Sequence, residues 1–146
     1  MADDRRDPFR TFNFRLEIDN VPVAAFSDVT GLQSEGEVAD YRTGMDVPLT
    51  NRKIPGLRKY GPIGLKRGMV KDTTLWDWYL NIANGKQDRR NGSVILMDEE
   101  RHDVLRWNFE SAFPNKISAS ELKAGGNEVA IESIELVVEN ITFEAA

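Results

Sequence analysis

The 146-residue chain has no cysteine and a single histidine. Without thiols it can build no disulfide framework, no zinc–thiolate site and no cysteine nucleophile. That composition suits a reducing compartment without requiring one. No apolar run approaches the ~20 residues that a membrane-spanning helix needs, so direct membrane insertion by this chain is not expected. The opening MADDRRDPF is charged throughout and lacks an apolar h-region. Synthesis and assembly in the cytoplasm without a signal peptide are therefore expected.

The motifs of enzyme chemistry are largely missing too. His102 lies in DEERHDV, a charged turn, with no cysteine to partner it and no GxSxG serine motif in the chain. A solvated turn histidine is the simpler reading. Asp98, Glu99, Glu100 and Asp103 cluster beside it, but the spacing of a calcium loop is absent. Gly61, Gly64 and Gly68 near Lys66 and Arg67 do not follow the order of a phosphate-binding loop, and they fit strand ends and a bulge. No catalytic, metal or cofactor-binding residue is assigned, and no cofactor is expected.

What remains is an ordinary globular composition, 40% hydrophobic and 29% charged. Its length suits one domain over 1–146, with 1–9 as a flexible N-terminal segment. The net charge is −5, which is no footprint of a nucleic-acid binder. Positive charge is nonetheless concentrated in Arg52, Lys53, Arg58, Lys59, Lys66 and Arg67. Such a cluster serves either a nucleic acid or an acidic region of another copy of the chain. The lack of interleaved stacking aromatics favours the second.

Most of the sequence has the two-residue period of strands. FNFRLEID places Phe12, Phe14, Leu16 and Ile18 on one face and charged or polar residues on the other. Asp19-Asn20 supplies a turn, and VPVAAF follows as a returning strand whose Pro22 puts its start at an edge or bulge. LQSEGEVADYRTG also reads as extended, but polar on both sides. KYGPIGLKRG contains a short strand centred on Ile63 and Leu65. Leu105, Trp107, Phe109 and Phe113 mark a strand in the hairpin NGSVILMDEERHDVLRWNFESAF. The polar linker NKISASELKAGGNE then leads to VAIESIELVVENITF, a final strand with apolar residues in both phases.

Two stretches depart from that pattern. Residues 42–56, RTGMDVPLTNRKIPG, carry Gly44, Pro48, Asn51, Pro55 and Gly56, and are predicted to form an extended loop or hairpin tip. It is too long for an idle hairpin loop. Thr43, Asp46, Asn51, Arg52 and Lys53 are its candidate contact residues. The other stretch, KDTTLWDWYLNIANGK, has helical periodicity over about 73–84, with Asp72, Thr73 or Thr74 as N-cap and Asn84-Gly85 as the stop. Its apolar residues spread over an arc of roughly 200°, wider than one packing face needs. The excess is either core beneath a loop or a surface for another chain, and Trp76, Trp78 and Tyr79 are the candidates for that surface. The architecture expected is mainly β: an antiparallel barrel or sandwich of about six to eight strands with one flanking helix.

RKIPGLRKYGPIGLKRGMVKDTTLWDWY (52–79) and NEVAIESIELVVENI (127–141) resemble the tail tube proteins of contractile phage tails and the inner tube proteins of phage-like contractile injection systems. DPFRTFNFRLEIDNVPVAAFSDVTGL resembles the family's opening strands, so the resemblance covers nearly the whole chain. The family it resembles is itself related to the tube protein of type VI secretion. The resemblance implies a barrel-like protomer, homohexameric rings, and rings stacked into a hollow tube that sheath contraction drives into a target. It also implies partners: further copies of the chain, a sheath protein, baseplate or hub and tube-terminating proteins, and cargo protein or DNA in the lumen. On that basis the 43–53 loop is expected to stack rings, the helix to contact a neighbouring protomer or the sheath, and Arg58, Lys59, Lys66 and Arg67 to form a basic contact cluster. Its final location would be a phage tail, a released particle or a cell-anchored injection apparatus. The alternatives are a tube-initiating adaptor at the baseplate or, outside the family, a monomeric ligand-binding β-barrel.

Overall fold

The computed structural model describes residues 8–11, 13–19, 26–45, 49 and 51–146. Among them run Phe14–Ile18 (β1), Phe26–Thr30 (β2), Ser34–Tyr41 (β3), Arg52–Tyr60 (β4) and Ile63–Gly68 (β5). The helix Thr74–Ala83 (α1) follows, then Arg90–Met97 (β6), Asp103–Ala119 (β7), Ile131–Val137 (β8) and Asn140–Ala145 (β9). The fold is mainly β, with one helix among the described residues, and every strand pairing is antiparallel.

Seven strands form a curled sheet in the order β1-β6-β7-β8-β5-β2, with β9 added to β7, and β3 and β4 form a separate ribbon. The 17-residue β7 belongs to both halves of the curl. Its first part lies between β6 and β9, and its second part pairs with β8 from Phe113↔Val137 onward. It turns at Ser111, whose φ of 54° is uncommon for a residue with a side chain and whose N–H donates to Asn91 Oδ1 at 3.0 Å. The result is sandwich-like rather than a closed barrel. β1 pairs with β6 and β2 with β5, so the two ends of the curl do not pair with each other among the described residues. Phe12 and the returning segment 21–25 lie outside the described residues.

The core follows from strand alternation. Leu16 and Ile18 of β1, Val94 of β6 and Phe109 of β7 meet Ile63 and Leu65 of β5 and Ile134 and Leu136 of β8. Each fully buried large side chain in that set contributes about 1.5–3 kcal/mol through removal from water. Leu75 and Trp78 of α1 enter the same cluster, so the helix completes the core between the two halves. The outward faces are polar. Arg15 holds Asp103 through two hydrogen bonds of 2.9 and 3.1 Å, and Ser93, Asn108 and Glu144 are linked across β6, β7 and β9. Asn115–Ala119 belong to β7 rather than to a linker, because Ile117 alternates inward onto the core.

Candidate assembly surface

β3 and β4 form a hairpin in which almost every residue is exposed on both faces. Its register runs from Ser34↔Tyr60 at the root to Tyr41↔Arg52 at the distal end. The expected loop over 42–56 is therefore shorter than predicted. Residues 42–51 connect the strands, while Arg52 to Gly56 lie within β4. Pro55 and Gly56 are tolerated because a two-stranded ribbon has edges and a bulge here, between Gly36 and Val38. No buried face imposes a hydrophobic period on these strands, which removed the signal by which they are recognised.

Opposite charges face each other across the ribbon. Lys53 Nζ contacts Asp40 Oδ1, and Lys59 stands opposite Glu35. Gly36 stands opposite Arg58, and a Cβ there would lie 1.5 Å from Arg58 Nη1, so the glycine makes room for that guanidinium. Apolar side chains extend into water at the far end: Met45 is 89% exposed and Leu49 97%, with Val38, Ile54 and Leu57 exposed along the strands. Thr43, Asn51, Arg52 and Lys53 lie at this distal end, and Asp46 lies outside the described residues.

The basic cluster is divided between two elements. Arg52, Lys53, Arg58 and Lys59 belong to the hairpin, whereas Lys66 projects from the outer face of β5. Arg67 is a correction. Alternation along β5 turns it inward, where it is 1% exposed and cannot serve as a surface contact. Its Nε donates to Glu132 Oε2 at 2.9 Å, its Nη1 to Asp72 Oδ2 at 3.4 Å, and the guanidinium lies 5.8 Å from the Phe26 ring centroid.

The helix resolves in the same way. Trp78 is fully buried, its indole N–H donating to Asp88 O at 2.7 Å and its ring lying 4.8 Å beneath the Arg90 guanidinium. It fills the protomer's own core and offers no surface to a neighbour, a second correction. Trp76, 37% exposed, and Leu80, 48%, form the outward apolar flank, with Tyr79 edge-on to Trp76 at 6.4 Å. Thr73 is the N-cap residue but makes no side-chain capping bond, its hydroxyl donating to Asp77 instead, and Asp72, one residue earlier, accepts the Thr74 N–H at 3.0 Å. The Thr74 hydroxyl and N–H, together with Arg67, hold the Asp72 carboxyl below its ordinary range.

Among the described residues no group of three or more potential ligands is placed to hold a metal ion. No helix among them is long and apolar enough to cross a membrane. A curled antiparallel sheet with one helix and a solvent-exposed two-stranded ribbon is a fold of the tail-tube type. The profile of the T4-like virus tail tube protein gp19 family matches residues 10–142, and the chain belongs to that family of structural tube proteins. No curated protein matches the sequence.

Solved structures carry the same fold. A chain of the extended sheath–tube complex of an extracellular contractile injection system, PVC, superposes with a TM-score of 0.85 at 23% identity, covering 95% of this chain and 93% of that one. A chain of the anti-feeding prophage (AFP) baseplate gives 0.83 at 23% identity, with 96% and 97% covered. Hcp1 from Flavobacterium johnsoniae gives 0.55 at 16% identity, with 92% and 97% covered.

Proposed function

We propose that the chain assembles into hexameric rings that stack as the inner tube of a contractile tail or injection system. The tube is a passive conduit for cargo protein or DNA, with no catalytic role. The observation that carries this reading is the β3–β4 hairpin: nine-residue β4 and its partner strand extend from the core with apolar side chains exposed on them. A monomer gains nothing from such an element, since a lone two-stranded hairpin is marginally stable in water. A stacked ring would bury it.

Two further features support the reading. The outward sheet faces are laced by polar side chains, as a surface bathed by a water-filled lumen requires. The net charge of −5 per chain makes rings repel one another, and the cations Arg52 and Lys53 at the hairpin's distal end supply local attraction. Trp76, Tyr79 and Leu80 would face the sheath or a neighbouring protomer. Sheath–tube, baseplate and tube-terminator complexes are described for the similar injection-system chains, and the corresponding partners are proposed for this one.

Negative-stain microscopy of the purified protein tests the class, since rings or tubes are expected and a monodisperse monomer at high concentration overturns it. Replacing Thr43 to Asn51 by a short Gly-Ser turn should leave hexamers and abolish long tubes. Tubes of normal length from that variant would remove the hairpin tip from the stacking contact.

A further inference from the structure

The chain has four methionines and no cysteine, so no thiol competes with its thioethers for a two-electron oxidant. Met1 lies outside the described residues, and the other three stand in different surroundings. Met97 ends β6 at 9% exposed, with its N–H donating to Asn13 O at 2.8 Å. Met69, just past β5, is 43% exposed. Met45 is 89% exposed in the connection between β3 and β4, and a Cβ built on the preceding Gly44 meets nothing within 4 Å. An oxidant therefore has open access to Met45, partial access to Met69 and almost none to Met97.

We propose that Met45 is a modification site: a peroxide converts it to the sulfoxide and stops tube growth, and reduction restores growth. The inference rests on the tube reading above, in which stacking covers the hairpin tip, and adds a chemical control on that contact. The Met45 sulfur attacks the terminal oxygen of hydrogen peroxide or an alkyl hydroperoxide. The S–O bond forms as the O–O bond breaks, and the sulfur gives up two electrons. The other oxygen takes the proton of the transferred one and leaves as water or an alcohol. Methionine sulfoxide reductases reverse the change with two electrons from thiols, one enzyme for each sulfoxide epimer.

The exposure of Met45 separates the effect on assembly from any effect on the fold. In the free protomer its side chain is almost wholly in water, so an added oxygen disturbs no packing. In a stack the same side chain is covered, and the S–O dipole must leave water with it. Burying an unpaired polar group weakens each ring-to-ring step by about tenfold or more. Stacking also removes Met45 from the oxidant, so the change falls on free subunits and spares assembled tubes.

Hydrogen peroxide treatment of unassembled protein tests the site, with peptide mass spectrometry, circular dichroism and electron microscopy as readouts. Met45 should gain oxygen first, the circular dichroism spectrum should stay unchanged, and rings should remain while tubes are lost. Met45→Leu protein should keep its tubes through the same treatment, whereas Met69→Leu protein should lose them. Met45→Gln, a neutral polar side chain of similar size, should block tubes without any oxidant. The two sulfoxide reductases with a dithiol should return tube growth to the treated protein. In tubes formed beforehand, Met45 should oxidise about tenfold more slowly or less than in free subunits. The proposal is overturned if protein fully oxidised at Met45 grows tubes of ordinary length, or if Met45→Leu protein loses its tubes to peroxide as the unaltered protein does. Equal oxidation of Met45 in tubes and in free subunits overturns it as well. In these cases tubes of untreated protein would leave the tube reading standing. Untreated protein that forms no rings at all would overturn both.

Discussion

Arg67 and Glu132 occupy paired positions on β5 and β8, and their side chains meet inside the core with Nε 2.9 Å from Oε2. The guanidinium is further engaged by Asp72, but Glu132 Oε1 has no hydrogen-bond partner within the protein. A buried ion pair of this kind contributes little net stability, because desolvating both charges offsets their attraction. Removing one partner is different, since it strands the other charge. Arg67→Met or Glu132→Leu alone should therefore cost about 3–5 kcal/mol. The double variant should cost less than either single change. Urea denaturation of the three proteins checks this, and a double variant as unstable as the sum of the singles would refute it.

Trp76 and Trp78 sit two residues apart on α1 and should behave as different kinds of residue. Trp78→Ala opens a cavity in the core and leaves Asp88 O without its donor. A loss of about 3–5 kcal/mol is expected, visible by circular dichroism at every protein concentration. Trp76→Ala removes a partly exposed ring and should leave the protomer folded with nearly unchanged stability. If Trp76 contacts a neighbour, sedimentation will show weaker assembly in that variant alone. Equal destabilisation by the two changes would contradict the burial difference.

The same two tryptophans mark how far the sequence carries. Helix limits near 73–84 were legible from capping residues and periodicity, and the helix runs Thr74–Ala83. The alternation of β1 likewise identified Leu16 and Ile18 as core. A helical wheel, however, gives the width of an apolar arc and not where the sheet lies, so it could not separate Trp78 from Trp76. Arg67 was misplaced for a related reason. Its inward direction follows from being in phase with Ile63 and Leu65, but a buried cation needs a partner, and Glu132, sixty-five positions away, is not identified by local pattern. β4 was obscured by Pro55 and Gly56 and by having no buried face to set a period.

Asp88 gives the fold a defined response to acid. Its carboxylate accepts two hydrogen bonds of 3.1 Å from Arg90 and one of 3.0 Å from Asn81. The Arg90 bond is the main cause of a pKa held below the ordinary value, with Asn81 adding to it against partial desolvation. A carboxyl whose pKa is lower in the folded than in the unfolded protein stabilises the fold above its unfolded pKa. That contribution is lost as pH falls through the folded value. Asp88→Asn should therefore lower the melting temperature at pH 7, and the gap from the unaltered protein should narrow below about pH 4. Melting curves between pH 7 and pH 3 decide the matter, and a gap that widens in acid would reverse the assignment.

Gly31 lies between β2 and the root of the hairpin, and its backbone has φ +82°, a region that side chains disfavour. A Cβ there would lie 1.8 Å from Pro62 O, which is backbone and cannot swing aside. The Gly31 carbonyl accepts the Gln33 N–H at 2.8 Å, and the Gln33 carbonyl accepts the Gly61 N–H at 3.1 Å, so the displacement would reach both strands of the root. Gly31→Ala should cost about 2 kcal/mol or more, combining backbone strain with a forced shift of the 61–63 segment. It should also disturb tube growth under conditions where the protomer remains folded, because the hairpin would leave at an altered angle. Gly44→Ala is the control: it lies on the connecting loop, a Cβ there meets nothing within 4 Å, and its effect on stability should stay within about 0.5 kcal/mol. Denaturation and electron microscopy of both variants test the argument together. A Gly31→Ala protein as stable as Gly44→Ala, with tubes of ordinary length, would show that the root tolerates a side chain and that its geometry does not aim the hairpin.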